Sequence, residues 1–339
     1  MNNSTHYFSA EIKNNKLVFL DQTRLPLEEK YIETDDYNRI AEAIEKLEVR
    51  GAPLIGICAA YAIALAFKNS GIAERNRMFE IVYDRLRSTR PTAVNLFYAL
   101  NEMKKCFNKY RNSEDLFSHL FQRAAEIHKE DSDACYAIGK NGLGIFNKKS
   151  RVLTHCNTGK LATGGDGTAF SVIKHAFENE LIEIVFADET RPLLQGLRLT
   201  AFELSKSGIP FKVLTDSSAA FLMAQKKIDI VITGADRIAL NGDSANKIGT
   251  YNLALLSYYH DIPFYIAAPE STIDRETPSG EQIEIEFRNG REILSINDYR
   301  IAPEEYQTFS PAFDITPAHL IKGIITEKGI YSFPYNFLK

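Results

Sequence analysis

The sequence predicts an α/β protein, mostly helical over residues 1–148 and built on a parallel sheet over residues 149–339. Three observations carry this. Apolar residues recur at helical spacing through the first half. From Ser150 onward, short β-branched runs alternate with amphipathic stretches, the pattern of strand–helix–strand units. Several of those runs stop abruptly in polar loops, as strands do at the carboxyl edge of a parallel sheet, where ligands bind.

Composition narrows the function. The 339 residues suffice for two domains. A net charge of −4 argues against a broad nucleic-acid surface, which shows up as a basic domain. Small anions stay open, because local Arg and Lys bind them whatever the total charge. The four cysteines, Cys58, Cys106, Cys135 and Cys156, form no CxxC pair, so a zinc knuckle or redox dithiol is not expected. So few thiols in so long a chain suggest a reducing, cytoplasmic setting. The opening MNNSTHYFSAEIKNNK lacks the apolar core of a signal peptide. The longest uncharged run, Ala52 to Phe67, falls short of a membrane span and reads as a buried helix. No membrane or nucleic-acid partner is expected.

In the first half, Glu11 to Leu20 reads as a hairpin turning at Asn14-Asn15. A helix follows with Ile40, Ile44 and Leu47 on one stripe, capped by Asp35 or Asp36. Arg50-Gly51-Ala52-Pro53 then opens the apolar helix. Pro53 suits a first turn, Gly51 allows close approach to the backbone, and the free N–H groups of a helix start favour an anion. Arg50 adds a forked cation; a tight turn with a solvated Arg is the plainer reading. Arg90, just before a Pro-started helix, has the same two readings. Residues 114–128 and 131–147 read as two further helices.

In the second half the expected strands are 151–155, 182–187, 211–215, 228–233 and 263–267, with helices near 167–178, 192–206, 217–226 and 245–259. Ile283-Glu284-Ile285 reads as a short β piece, and Pro311 to Ile325 as an irregular arm with a final helix.

Three strand ends are rich in polar residues. Cys156 follows the first and leads into a Gly-rich stretch, Gly164 to Thr168, which lacks the spacing of a nucleotide loop; no nucleotide is predicted. Ala187-Asp188-Glu189-Thr190-Arg191-Pro192 follows the second and leads to Gln195. The third is the stretch Ile228 to Tyr251: a buried strand to Thr233, a break at Gly234, then a polar loop with Asp236, Arg237, Asn241, Asp243, Asn246 and Lys247. Asp or Asn before a helix is often only a cap, and a lone Cys at a strand end is often buried structure. Their shared place at one sheet edge favours chemistry. The seven His show no metal-ligand spacing, so neither a metal nor a cofactor is implied.

Taken together, RGAPLIGICAAYA (50–62), RPTAVNL (90–96), THCNTG (154–159), FADETRPLLQGLRLTAFEL (186–204), GADRIALNGDSANKIGTYNLA (234–254), IPFYIAAPESTID (262–274) and PAFDITP (311–317) resemble the 5-methylthioribose-1-phosphate isomerases of methionine salvage. That family is related to the α, β and δ subunits of translation initiation factor 2B. The resemblance runs from about Leu17 onward. It implies a Rossmann-like second domain and a homodimer, with a small sugar phosphate as the partner. It also implies Cys156 and Asp236 as the catalytic pair, and Arg50, Gly51, Ala52, Arg90, Gln195, Asn246 and Lys247 as substrate contacts. The regulatory relatives lack the paired Cys and Asp.

The implied reaction is an aldose–ketose isomerisation. Esterification at C1 locks the sugar as a ring, so the ring must open before hydrogen moves from C2 to C1. Asp236 would donate the proton that opens it, which requires a carboxyl pKa raised by apolar surroundings. Cys156 would act as a thiolate base or as a polarisable neighbour to a cationic intermediate; Lys160 is close enough in sequence to bear on its pKa. The chain departs from the family pattern at Thr158, Asp166 and Ser217-Ser218. These positions leave open the group on C5: methylthio, methyl or a second phosphate.

Overall fold

The computed structural model describes residues 7–68, 71–90, 94–296 and 299–337. Residues 1–6 of the opening stretch and the Pro91 expected to open the helix after Arg90 lie outside them. The chain forms two compact units: Met1–Cys135 with Lys160–Gly167, and Tyr136–Gly159 with Thr168–Lys339. Each is thus made of two stretches, unlike the single cut at 148/149 expected from the sequence.

The first unit opens with an antiparallel sheet, β1 (Ala10–Lys13), β2 (Lys16–Leu20) and β3 (Tyr31–Thr34). Asn14 and Asn15 at the β1–β2 turn both hold positive φ, 51° and 54°, the conformation a two-residue hairpin demands and Asn tolerates. Helices α1 (Tyr37–Glu45), α2 (Ala52–Ala66), α3 (Arg75–Arg87), α4 (Val94–Tyr110) and α5 (Leu116–Gly142) follow. Asp36 caps α1 by accepting from the Asn38 N–H at 2.9 Å. Helix α2 is apolar all round and buried from Leu54 to Leu65, as such a sequence must be. Gly56 lets α4 close on it: a Cβ there would stand 2.6 Å from the Asn95 carbonyl oxygen.

Helix α5 is one helix where the sequence suggested two, and the division between units falls within it. Its polar middle is solvated helix surface rather than a break. Lys129 pairs with Asp133, and Arg123 with Glu126 and Glu130, at spacings that support a continuous helix.

The second unit is organised on a seven-stranded sheet. Its strands are β4 (Ser150–Thr154), β5 (Ile182–Asp188), β6 (Phe211–Leu214), β7 (Ile230–Thr233), β10 (Phe264–Ala267), β15 (Gly323–Thr326) and β16 (Gly329–Ser332). They lie in the order β16-β15-β10-β7-β4-β5-β6. All neighbours are parallel except the edge pair β15–β16. Helices α6 (Ala169–Glu178), α7 (Ala201–Lys206), α8 (Ser218–Ala224) and α9 (Thr250–Tyr259) connect them. Alternate strand residues enter two cores, as period-two side chains do in a sheet covered on both faces: Val152, Val185, Ile230 and Ile232 join one, Leu153, Phe186 and Val231 the other.

The end of the chain corrects the sequence reading. The expected final helix is absent: Phe313–Thr316 is β14, and the Ile324-Ile325 run pairs with β10 as strand β15. β-branched residues after Gly323 favour that outcome. Ile283-Glu284-Ile285 is not a strand; Ile283 is a single buried residue packed with Ala239 and Ala245. The described residues also include a short pair, β12 (Ser295–Ile296) and β13 (Tyr299–Arg300).

Candidate active site

The strand order places the chemistry. From β4 the chain moves to β5 and β6, then returns to the other side of β4 as β7 and continues to β10 and β15. The order reverses between β4 and β7, and ligands of open α/β sheets bind beyond the carboxyl ends of strands at such a point. Cys156 lies two residues beyond β4 and Asp236 three residues beyond β7. The register sets Leu153 level with Val231, and adjacent strands are about 4.8 Å apart. A Cβ on Gly234 would meet the Thr158 methyl at 2.7 Å, so the two strand exits touch.

Cys156 is buried and holds φ 63°, a conformation costing roughly 1–3 kcal/mol for a non-glycine residue and concentrated at functional sites. Two hydroxyls hold the turn. The Cys156 N–H donates to Thr190 Oγ1 at 2.8 Å, and Thr200 Oγ1 donates to the Cys156 carbonyl at 2.5 Å. Asn157 Nδ2 donates to the fully buried Glu203 at 2.5 Å.

The exit of β5 is strained in the same way. Thr190 and Leu194 hold φ 63° and 59°, and for a β-branched residue that is a true outlier. Gly196 then opens a π-helical turn, Gly196–Thr200, a feature frequent at functional sites. Only glycine fits: a Cβ would lie 1.6 Å from the Asp188 carbonyl oxygen. Gln195 is buried here, and its Oε1 has no hydrogen-bond partner; the same holds for Asp188 Oδ1 and Thr233 Oγ1. Buried polar atoms are nearly always paired; of these three, Asp188 and Thr233 close strands β5 and β7, and Gln195 lies on the turn that follows β5.

The expected loop after β7 is a hairpin. Strands β8 (Arg237–Ala239) and β9 (Ser244–Lys247) pair antiparallel and extend into a small sheet, β11-β8-β9-β14, in which β11 is Ile273–Asp274. The turn is Asn241-Gly242, with Gly242 at φ 93°, a strong hairpin signal. Helix α9 consequently starts at Thr250, not 245. Asp236 is half-buried, and its N–H donates to the Ala245 carbonyl at 2.9 Å. Asn246 is buried and donates to Thr250 Oγ1 at 2.9 Å. Lys247 is no loose surface cation: Nζ donates to the Ala312 carbonyl at 2.8 Å and lies 4.6 Å from the Phe313 ring centre.

In the first unit, Gly51 holds φ 91° at the start of α2, which has no side-chain cap. A Cβ there would lie 2.4 Å from Ala162 Cα. Arg50, Gly51, Ala52 and Arg90 are all partly exposed. Lys160 forms an ion pair with Asp166 at 3.3 Å and lies 5.6 Å from the Tyr7 ring centre.

Sequence reasoning gave no role to His155, Asp188 or Asp314. His155 Nδ1 lies 3.0 Å from Asp188 Oδ2, and Nε2 lies 2.9 Å from the Ile248 carbonyl oxygen. Burial opposes the imidazolium, but the Asp188 carboxylate outweighs it and raises the His155 pKa; burial pushes Asp188 up to about 6. Asp314 accepts from the Gly249 and Tyr251 N–H groups at 2.7 and 3.1 Å, so the start of α9 is already capped. His155, Asp188 and Asp216 bring donor atoms within 4.8 Å of one another, the spacing of a metal group. Both Asp216 oxygens accept backbone N–H groups, from Thr190 and Arg191, so the cluster is tied together without an ion. The signal for His155 and Asp188 was present only as polar residues at two strand ends.

The chain is similar over nearly its whole length to known proteins. A methylthioribose-1-phosphate isomerase of Caldicellulosiruptor saccharolyticus is 50% identical over 331 residues, 96% of each chain. Another, of Desulfitobacterium hafniense, is 50% identical over 338 residues, 98% of each. The crystal structure of 5-methylthioribose 1-phosphate isomerase from Pyrococcus horikoshii OT3 superposes with a TM-score of 0.92 at 41% identity, covering 98% of this chain and 94% of that one. Translation initiation factor eIF-2B subunit delta from A. fulgidus superposes with a TM-score of 0.87 at 37% identity, covering 97% of both. Residues 48–332 match the pattern of the initiation factor 2 subunit family, and with relatives this similar over nearly the full length, the chain belongs to that family.

Proposed function

We propose that the protein is an aldose–ketose isomerase converting 5-methylthioribose 1-phosphate to 5-methylthioribulose 1-phosphate, a step of methionine salvage. The carrying observation is that Cys156 and Asp236, some eighty positions apart in sequence, follow adjacent strands at the one place where the strand order reverses. Relatives half-identical over nearly the whole chain bear the isomerase name.

In this reading Asp236, half-buried, gives a proton to the ring oxygen, and the C1–O bond to that oxygen breaks. Hydrogen then moves from C2 to C1. It travels as a proton if the Cys156 thiolate removes it from C2, or as a hydride if C1 is cationic and Cys156 stabilises that charge. In both routes the C2 hydroxyl ends as the carbonyl after losing its proton, and no external oxidant or reductant is needed. Gln195, with its unpartnered oxygen, serves as a sugar hydroxyl acceptor. Asn246 and Lys247, Arg90 and the Arg50-Gly51-Ala52 helix start serve as further substrate contacts, with the phosphate held by some of them.

We further propose a cytoplasmic homodimer. Among the described residues, none of the four cysteines is in a disulfide and no helix is long and apolar enough to cross a membrane. Tyr251, Leu255, Tyr258 and Tyr259 of α9 are exposed at helical spacing, a face a second copy would cover.

The test is an NMR turnover assay against the 1-phosphates of methylthioribose, 5-deoxyribose and ribose, and against ribose 1,5-bisphosphate. Preferential turnover of the first is expected. Conversion of none would leave a regulatory subunit as the reading. Cys156→Ser and Asp236→Asn should each abolish turnover in a folded protein, and an active Cys156→Ser variant would eliminate the thiolate base.

A further inference from the structure

We propose that His155 and Asp188 form a buried proton-sharing pair that positions Cys156, locking the exit of β4 to the turn that follows Asn246-Lys247. The inference rests on the isomerase reading above for its consequence in catalysis, but not for its structural core.

The two residues stand one position beyond the register pair Thr154–Ala187, so their side chains meet across neighbouring strand ends. Both are about 1% exposed. The Ile248 carbonyl can only accept, so Nε2 carries a hydrogen. Nδ1 faces a carboxylate oxygen at 3.0 Å, and that contact also requires a hydrogen between them. The arrangement therefore holds together only while one further proton sits on the pair. Gly249 makes room for the ring, since a Cβ there would lie 2.9 Å from His155 Cε1. One imidazole thus ties together β4, β5 and the β9–α9 turn, immediately next to the thiol-bearing residue.

The surrounding charges favour keeping that proton on the pair. Asp216 and Glu189 stand near Asp188, and Asp314 and Lys247 lie on the side of the Ile248 turn. Three of these four are carboxylates. As pH rises through the raised His155 value, the pair loses its proton, the Nδ1 lone pair faces the Asp188 carboxylate, and the cross-link opens. Both residues are positioning residues, since neither is placed against substrate.

The experiment compares wild type with Asp188→Asn and His155→Gln. The ring nitrogens of His155 are read by 15N NMR, and kcat and KM are followed against pH. Expected in wild type at pH 7 is one proton beyond the Nε2 hydrogen, held on Nδ1 or on the Asp188 carboxyl; in Asp188→Asn, whose amide can donate to Nδ1, only Nε2 stays protonated. Asp188→Asn should lower kcat about 10- to 100-fold with KM within about threefold, as a displaced catalytic group does, and should remove the alkaline fall of kcat. His155→Gln should lower kcat similarly. A singly protonated His155 beside an ionised Asp188 in wild type at pH 7, the carboxyl read by 13C NMR, or wild-type kcat and pH profile in Asp188→Asn, would overturn the proposal. Absence of turnover in wild type would refute the isomerase reading instead, and the NMR arm would still decide whether the pair holds its proton.

Discussion

The amide of Cys156 donates to the side-chain hydroxyl of Thr190 at 2.8 Å, and each of the two residues holds a positive φ of 63°. Two strained strand exits are therefore pinned to one another. Thr190 Oγ1 also donates to the Asp188 carbonyl at 3.1 Å, so its one hydrogen is committed while it accepts from Cys156.

Thr190→Val keeps the shape and removes that hydroxyl. The buried Cys156 N–H loses its partner, which costs about 1–3 kcal/mol. The expected outcome is lower urea stability together with at least about a tenfold fall in kcat. Unchanged kcat would show that the Cys156 turn is held by other contacts.

Gly51→Ala tests the start of α2. The substitution places a Cβ 2.4 Å from Ala162 Cα in a backbone region that L residues disfavour. At least about 2 kcal/mol of destabilisation is expected in thermal unfolding, with a raised KM if this helix start holds substrate. A wild-type melting curve would contradict the geometry.

Lys247→Met removes a cation while keeping the stem that lies over Phe313. A charge-assisted contact to substrate phosphate is worth about 1.5–3 kcal/mol, so KM should rise roughly 10- to 150-fold with kcat less affected. A fall in melting temperature at constant KM would assign Lys247 to the Ala312 carbonyl alone.

Asp229→Asn tests acid stability away from the site. Arg151 and Lys148 hold the Asp229 carboxyl well below the usual carboxylate range. A depressed carboxyl stabilises above its unfolded pKa and loses that contribution as pH falls. The variant should melt lower than wild type above about pH 5, and the gap should begin to narrow below about pH 4 and keep narrowing as pH falls toward the depressed folded value. A gap that stays constant down to pH 3 would rule out this linkage.

Much of the fold was legible because local chemistry and global structure agree. Asn14-Asn15 between alternating residues announced the first hairpin, and β-branched runs announced β4, β5, β6, β7 and β10 of the large sheet but not β15 or β16. Asn241-Gly242 carried the same kind of signal, yet the polar residues around it read as a loop, since β8 and β9 are short and gain their apolar partners from distant β11 and β14. The middle of α5 looked like a boundary because its charges pair along the helix surface rather than mark an end. Cys156 and Asp236 could be singled out by type and place, through their likeness to a known family. His155 and Asp188 could not: their meeting depends on the β4–β5 register, which no local pattern encodes. The order of strands, and hence the reversal beside Cys156, was likewise beyond sequence periodicity.

The segment Lys160–Gly167 belongs to the first unit although residues on both sides of it belong to the second. The polypeptide therefore passes from one body to the other three times, at 135/136, 159/160 and 167/168. No single gene truncation can deliver either body without part of the other. A protease nick at one of these passages would still leave two covalent tethers, so fragments of this protein should copurify until denatured.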